Sequence, residues 1–266
     1  MPISIAFISG KGGVGKTTTC ASLAGALGER DRRVLAVDMD PQANLTASLG
    51  FNPYTLRQSV YDVLSNYATG VRSTLIRTRW PGVSLLAAKP ELARLQQVAT
   101  SMNGHETRLR DVLLDGSELN DPDYILIDTP PNFGYHTRSA LAAVDWVVVP
   151  VQMSGFAITG LKEVLRLLQS ARQELNPSLR LLGLVPTFVD MRTRFSRDII
   201  EGLRDIPDLH VFNSMIAMTV KLQETSLVGV PITIYASDSA AAAAYRKLTD
   251  EVIAAVEPSV EPAAGS

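Results

Sequence analysis

The sequence predicts an α/β protein with a single doubly wound, mostly parallel sheet of seven to eight strands flanked by helices. Short runs rich in β-branched residues alternate with longer segments of helical periodicity, which is the pattern of parallel strands joined by crossover helices. With 266 residues, 46% of them hydrophobic, the chain is long enough to bury a substantial core. No internal repeat interrupts the alternation. One domain is therefore expected over residues 1–256.

The predicted strands are short apolar runs, located at 3–8, 33–38, 83–88, 124–128, 146–151, 180–186 and 209–212. The predicted helices follow most of these strands and span Lys16–Leu27, Pro90–Met102, Glu106–Leu114, Tyr135–Ala143, Ala157–Gln173, Phe195–Arg204 and Ser239–Val256. A short helix is also predicted at Val60–Tyr67. The tail at 257–266, rich in proline, alanine and serine, is expected to be disordered.

Composition excludes several classes of protein. The chain has 25 Lys and Arg against 27 Asp and Glu, a net charge of −2, so any contact with nucleic acid must be local. Cys20 is the only cysteine, which excludes an internal disulfide, a four-cysteine zinc site and an iron–sulfur cluster held by several thiolates of one chain. The sequence shows neither a secretory signal nor an uninterrupted membrane span. We expect a cytoplasmic protein.

Residues 10–17 match the phosphate-loop pattern G-x-x-x-x-G-K-[ST] between a predicted strand and a predicted helix. Glycines let successive backbone N–H groups point at a phosphate at the positive end of a helix. Lys16 is expected to neutralise the β- and γ-phosphates of ATP, and the Thr17 hydroxyl to coordinate Mg²⁺. The residues expected to bind the nucleotide here are Gly12, Gly13, Val14, Gly15, Lys16, Thr17 and Thr18.

A second lysine, Lys11, lies near the start of the same loop. From there its side chain could reach a nucleotide held by a facing subunit and act there as an arginine finger does. The alternative is a solvated loop lysine with no role in catalysis.

Three carboxylates follow predicted strands at the edge where open parallel sheets bind ligands: Asp38, Asp40 and Asp128. Hydrolysis of ATP needs a group that orients the attacking water and an acidic group that organises Mg²⁺. The alternative is that each carboxylate merely caps a strand or a loop. The segment Asp128–Gly134 contains two prolines and a glycine, and we interpret it as a switch loop that responds to the γ-phosphate; Pro41–Thr46 is interpreted as the other switch loop.

Three segments together resemble the ParA/MinD group of deviant-Walker P-loop ATPases: GKGGVGKTTT at 10–19, VDMDPQANLT at 37–46 and ILIDTPPN at 125–132. The resemblance runs from residue 3 to about residue 256 and is strongest to the short Soj-type ParA proteins, which lack a helix-turn-helix domain. It implies that Lys11 contacts the partner subunit's nucleotide, and that two subunits enclose two ATP molecules. It assigns Asp40 to the attacking water, Asp128 to Mg²⁺ through water and Asp38 to the metal shell.

The resemblance further implies that Pro186 and Thr187 lie near the adenine. It also implies a weak, partner-stimulated ATPase that dimerises on ATP, binds nucleoid DNA without sequence specificity and is reset by a ParB-like or cargo-adaptor activator. The basic residues matched to DNA binding are Arg192, Arg194, Arg197 and Lys221. Because the window 190–205 holds four arginines and four acidic residues, a solvated, self-paired surface is the alternative.

The sequence departs from the family at 217–219, where Ala-Met-Thr replaces the usual Pro-Arg-Asn. Two other functions therefore stay open. A MinD-like regulator would end in a basic amphipathic helix, but no Lys or Arg follows Lys247, so no membrane partner is expected. A metabolic P-loop ligase resembling dethiobiotin synthetase would need a pocket for a small carboxylate or amine, and no clear set of residues for one is found.

Overall fold

The computed structural model describes residues 1–66, 69–99, 105–114, 121–155 and 157–257. Within these ranges the strands are β1 (Ile3–Phe7), β2 (Val34–Asp38), β3 (Leu75–Arg77), β4 (Val83–Leu86), β5 (Tyr124–Asp128), β6 (Trp146–Gln152) and β7 (Arg180–Thr187). They form one seven-stranded sheet in the order β3-β4-β2-β5-β1-β6-β7. Every neighbouring pair is parallel except β3 and β4, so the predicted fold class is confirmed.

The helices of the described ranges are α1 (Lys16–Gly28), α2 (Asn44–Ser48), α3 (Val60–Ser65), α4 (Val71–Thr74), α5 (Ala93–Ala99), α6 (Arg108–Leu114), α7 (Tyr135–Ala143), α8 (Ala157–Glu174), α9 (Arg194–Arg204), α10 (Val220–Val228), α11 (Ile232–Tyr235) and α12 (Ala240–Val256). Short 3₁₀ turns at Pro90–Leu92 and His105–Thr107 precede α5 and α6. Within the part of the chain that the structure describes, no helix is long and apolar enough to cross a bilayer.

Two hydrophobic cores lie on opposite faces of the sheet. One contains buried side chains of α3 to α9, including Leu141 of α7 and Leu203 of α9. The other contains buried side chains of α1, α2, α10, α11 and α12, including Leu23 of α1 and Tyr245 of α12. Because successive strand residues point to opposite faces, the apolar strands supply both cores at once. This two-sided burial accounts for the nearly continuous apolar character of the central strands.

The parallel register brings three strand ends together at one edge. Phe7 of β1 and Asp38 of β2 are both register partners of Asp128 on the intervening β5. Any loop that leaves these strands therefore begins beside the other two. The phosphate loop and both predicted switch loops leave the sheet here.

Six predicted strands agree with the structure to within two residues at each end, but the strand predicted at 209–212 is wrong. That segment meets β7 only at an isolated bridge between Leu184 and Val211. Its apolar character instead reflects packing, because Val211 belongs to one core and Phe212 to the other. The seventh strand is β3, an antiparallel edge strand of only three residues, too short to show a sequence period.

Five predicted helices agree with the structure to within one residue, and three others are shorter than expected. The helices predicted at Pro90–Met102 and Glu106–Leu114 begin as 3₁₀ turns, and residues 100–102 lie outside the described ranges. The helix predicted at Val60–Tyr67 ends at Ser65, and Tyr67 is not described. The short helices α2, α4, α10 and α11 were not predicted.

The predicted disordered tail begins one residue too early. Glu257 accepts hydrogen bonds from the Tyr124 hydroxyl at 2.7 Å and from Arg32 at 2.8 Å, which ties the end of α12 to the sheet. Residues 258–266 lie outside the described ranges, so disorder there stays a prediction.

The close approach of α1 to the turn before β4 yields a stability test. A Cβ added at Gly28 would overlap the carbonyl oxygen of Pro81, whereas a Cβ at Gly202 in α9 would meet nothing within 4 Å. Gly28→Ala is therefore expected to lower the free energy of unfolding by about 1–3 kcal/mol, because backbone must move. Gly202→Ala should raise it by about 0.5–1 kcal/mol, because alanine favours a helix interior.

Urea unfolding of both variants beside the unaltered protein measures these changes. Equal effects of the two substitutions would contradict the close contact between α1 and the turn at Pro81.

Candidate active site

The phosphate loop connects β1 to α1 and depends on two glycines with left-handed backbone. Gly13 has φ 75° and Gly15 has φ 86°, a region that side chains with a Cβ adopt rarely. Gly15 is the N-cap of α1, and its carbonyl accepts the Thr19 hydroxyl at 2.7 Å. Lys16, the first residue of α1, is only 6% exposed. The loop therefore joins the positive end of a helix to a nearly buried ammonium group, a combination suited to phosphate.

Asp128, at the end of β5, lies directly beside this loop. Its Oδ2 accepts a hydrogen bond from the Thr17 hydroxyl at 2.6 Å, while its Oδ1 is buried without a hydrogen-bond partner among the described residues. Burial raises the pKa of Asp128 to about 6, although the charge of Lys16 and the Thr17 hydrogen bond act in the opposite direction. A carboxylate oxygen left unpartnered next to a threonine hydroxyl fits Mg²⁺, which takes oxygen ligands and keeps several waters.

Asp38, at the end of β2, is fully buried and bonded to the loop that follows it. Its Oδ2 accepts the backbone N–H and the hydroxyl of Thr46, both at 2.8 Å, and its Oδ1 accepts the N–H of Asp40 at 3.1 Å. Burial and the nearby charge of Asp128 raise the pKa of Asp38 to about 8, against these three hydrogen bonds. The structure thus gives Asp38 a direct part in holding the loop at Pro41–Thr46. Its assignment to the metal shell stays a prediction.

Asp40 lines a cleft of about 510 Å³ between the two predicted switch loops. It is 4% exposed, and its Oδ1 accepts the N–H of Gln42 at 2.9 Å. The opposite wall comes from α5 and from the loop at Asp128–Gly134. The lining residues are Asp40, Pro41, Gln42, Ala93, Gln96, Gln97, Pro130, Pro131, Asn132 and His136.

Lys11 lies at the surface on the other side of the loop. Its Nζ donates to Oε1 of Gln152, the last residue of β6, at 3.3 Å, and its side chain is exposed. The Lys11 carbonyl accepts the Ser9 hydroxyl at 2.9 Å. An exposed ammonium group held by one long hydrogen bond can be redirected at little cost. Its action on a partner's nucleotide stays a prediction.

Thr187 supports the phosphate loop from β7. Its hydroxyl donates to the Val14 carbonyl at 2.9 Å, and its Cγ2 would lie 3.8 Å from a Cβ added at Gly15. The following residue, Phe188, has φ 52° and lies near the same glycine. These contacts bring the Pro186–Thr187 segment to the loop, and contact with adenine stays a prediction.

His136, in the first turn of α7, lines the cleft but was not among the residues predicted from the sequence. The side chain is 1% exposed, and neither ring nitrogen has a hydrogen-bond partner among the described residues. Burial lowers its pKa to about 4, so the ring is neutral at pH 7. A single histidine inside a helical segment gives no signal of this kind in a sequence, because its burial depends on how α7 meets the rest of the cleft.

The basic residues matched to DNA binding lie on two helices and the loop before one of them. α9 carries Arg194 and Arg197 and packs on one core, whereas α10 carries Lys221 and packs on the other. Arg192 forms an ion pair with Asp190 at 2.8 Å, and Arg194 lies 3.8 Å from Asp198. Arg192 holds the pKa of Asp190 down at about 2. The self-paired surface considered from the sequence is therefore present at two of the three arginines.

Comparisons with known proteins identify relatives of this chain. Residues 3–181 match the family model described as an AAA domain. The chain is 35% identical over 250 residues to the chromosome partitioning protein ParA of Caulobacter vibrioides, which covers 94% of this chain and 93% of that protein. It is also 35% identical over 250 residues to the sporulation initiation inhibitor protein Soj of Bacillus subtilis, with 94% and 98% covered.

Among solved structures, cobyrinic acid a,c-diamide synthase of Mycobacterium smegmatis with bound ADP and magnesium has a TM-score of 0.82 and 36% identity. The match covers 94% of this chain and 93% of that one. Proteins similar to this chain over more than 90% of its length therefore include a partitioning protein, a sporulation inhibitor and a synthase.

The buried histidine predicts a pH dependence of stability. Above pH about 6.5, His136 is neutral in both the folded and the unfolded chain. As the pH falls from there to about 4, the unfolded chain takes up a proton that the folded protein does not, so the free energy of unfolding falls. At roughly 1.4 kcal/mol per pH unit, the titration of His136 should lower the free energy of unfolding by about 2–3 kcal/mol between pH 6.5 and pH 4.

His136→Leu removes the titrating ring and its two unpartnered nitrogens, so urea unfolding at pH 7 and pH 4 should show a smaller loss for the variant than for the unaltered protein. The same pH dependence in both would exclude a depressed pKa at His136.

Proposed function

Since the chain belongs to the ParA/MinD family of P-loop ATPases, we propose that it is a Mg²⁺-dependent ATPase that dimerises on ATP and works as a partition or positioning switch. The observation that carries this proposal is the Thr17–Asp128 hydrogen bond beside a buried Lys16, with Asp38 and Asp40 at the adjacent strand end. Here the groups that phosphoryl transfer to water requires lie at one edge of the sheet.

Each residue has a distinct part in the proposed reaction. Lys16 and the N–H groups of the loop bind the phosphates, and Thr17 and Asp128 hold Mg²⁺ with its waters. Mg²⁺, when bound, neutralises charge on the phosphate oxygens. Asp40 orients the attacking water. Lys11 of a second subunit reaches the nucleotide from the opposite side, which links hydrolysis to dimerisation.

The switch follows from the attachments of the two loops. Asp128 begins one switch loop and bonds to Thr17, while Asp38 holds the other through Thr46. ATP stabilises the dimer through contacts made by the γ-phosphate, and hydrolysis removes them. In the ATP state the dimer binds nucleoid DNA without sequence specificity, and a ParB-like or cargo-adaptor protein stimulates the otherwise weak ATPase. The partition function named for the Caulobacter relative supports this assignment.

A second candidate is an ATP-dependent synthase acting on a carboxylic acid, favoured by the name of the Mycobacterium smegmatis structure. A synthase that frees ammonia through a cysteine nucleophile needs an accessible thiolate. Cys20 is fully buried in α1, and burial together with the charges of Asp128 and Asp38 raises its pKa well above the usual range. This chain's only cysteine is therefore unsuited to that step.

Lys11 provides a test of the proposed dimer. In an Asp40→Ala background that slows hydrolysis, Lys11→Ala should bind a fluorescent ATP analogue with Mg²⁺ as before but stay monomeric in light scattering. The physical reason is that Lys11 lies outside its own phosphate cradle and contacts Gln152. Lys162→Ala, which removes an exposed lysine of α8, is the matched control and should dimerise on ATP. An undiminished ATP dimer of the Lys11 variant would rule out action in trans.

The function itself is tested by retention on DNA at low and moderate salt, in the apo, ADP and ATP states, with Asp40→Ala to hold the ATP dimer. We expect retention confined to ATP that weakens as salt rises, because phosphate contacts release counterions. Absence of DNA retention in every state, despite an ATP dimer, would overturn the DNA-binding switch. ATP turnover that required a carboxylic acid would favour the synthase instead.

A further inference from the structure

Positive charge is concentrated in one segment of the chain. Residues 51–90 carry five basic side chains, Arg57, Arg72, Arg77, Arg79 and Lys89, against the single acidic side chain of Asp62. Because the whole chain has a net charge of −2, the remaining residues carry a net charge of −6. Asp62 is also occupied, since it accepts the N–H of Ser59 in a capping box. The segment is therefore a local basic region on an otherwise acidic protein.

The fold places most of this charge around β3, the antiparallel strand at the edge of the sheet. A groove of about 840 Å³ lies there, at the ends of β2 and β4 remote from the phosphate loop. Its charged lining residues are Arg33, Arg72, Arg77 and Arg79, and no acidic side chain of the described residues lines it. Arg33 is engaged by Asp121 and Asp123. Arg72, Arg77 and Arg79 contribute the rest of the positive charge along the groove.

Arg77 and Arg79 differ in how they are held. Arg77 is exposed, and its side chain makes no hydrogen bond or ion pair with any described residue. Arg79 lies over the ring of Trp80, 4.5 Å from its centroid, and its Nη2 donates to the Gly229 carbonyl at 3.4 Å. Gly229 caps α10, the helix that carries Lys221. Arg79 thus joins the groove to α10.

The region around α9 has the opposite character. Its window 190–205 is neutral overall, and Arg192 and Arg194 are near acidic partners in their own segment. A phosphate group would have to compete with Asp190 and Asp198 for these guanidinium groups. At the β3 edge, Arg77 offers an uncompensated guanidinium group whose fork matches phosphate oxygens.

We propose that the surface formed by Arg72, Arg77 and Arg79, here called the basic edge, binds the phosphate backbone of DNA. This inference rests on the proposed function and names the surface that performs it. The guanidinium groups of Arg77 and Arg79 are exposed at this groove, so they can pair with phosphates of a duplex that lies across it. Contacts limited to phosphates carry no sequence information, which agrees with non-specific binding.

The test uses the full chain as the Asp40→Ala ATP dimer. The double variant Arg77→Gln/Arg79→Gln should lose at least about tenfold in DNA affinity at 100 mM salt, because four phosphate contacts per dimer disappear. The slope of log affinity against log salt should fall by about 3–4. Arg192→Gln/Arg197→Gln removes the same number of charges and should change affinity much less. The conservative Arg77→Lys/Arg79→Lys should recover part of the slope, since it keeps the charge.

Basal ATP turnover and thermal unfolding of each variant check that the fold is intact, and Arg77→Gln alone serves if the double variant unfolds. DNA binding that is unchanged in Arg77→Gln/Arg79→Gln but lost in Arg192→Gln/Arg197→Gln would overturn the basic edge while leaving the proposed function standing. DNA retention absent from the unaltered ATP dimer would overturn both.

Binding to two other probes is measured in parallel. One is a vesicle of equal parts phosphatidylglycerol and phosphatidylcholine, and the other is polyglutamate. Binding to either probe that needs Arg77 and Arg79, without DNA retention, would assign the surface to lipid or to an acidic protein and reject the proposal.

Discussion

The site depends on the parallel register of β1, β2 and β5, which brings Phe7, Asp38 and Asp128 to one level at the edge of the sheet. The phosphate loop and the two predicted switch loops begin within a few residues of these three positions. The hydrogen bond from Thr17 to Asp128 then fixes the start of α1 against β5. A shift of one residue in this register would turn Asp128 to the opposite face and separate Thr17 from the acid beside it.

From this edge, short bonded paths lead to both switch loops. Asp38 holds Thr46, and the Thr46 hydroxyl in turn accepts the N–H of Ala88 at 2.9 Å, so one loop is tied to the chain that follows β4. On the other side the Thr129 hydroxyl donates to the Phe7 carbonyl at 2.8 Å. A change in charge at the phosphate loop therefore acts on residues that are directly bonded to both loops. This is the arrangement that a two-state nucleotide switch requires.

The sequence predicted most of the sheet and the phosphate loop because these depend on local patterns: apolar runs bounded by turns, and glycines at fixed spacing. It could not predict β3, because three residues are too few to show a strand period. It also could not exclude a strand at 209–212, because Val211 and Phe212 are apolar in order to pack in the two cores. The bonding of Asp38 to Thr46 and the burial of His136 depend on contacts between distant elements. The packing of α9 on one core and of α10 on the other is likewise a tertiary property, which no local pattern records.

The charge balance of the site gives a physical reason for the proposed dependence on Mg²⁺ and on a second subunit. Lys16 is the buried cation of the loop, whereas Asp38, Asp40 and Asp128 lie close to it and are nearly or fully buried. Burial, together with the neighbouring carboxylates, raises the pKa of both Asp128 and Asp38, because negative charge is unfavourable in this space. The phosphates of ATP would add more negative charge to the same space. In the proposed reaction, Mg²⁺ and Lys11 of a second subunit would add positive charge at this place, which would couple nucleotide binding to dimerisation.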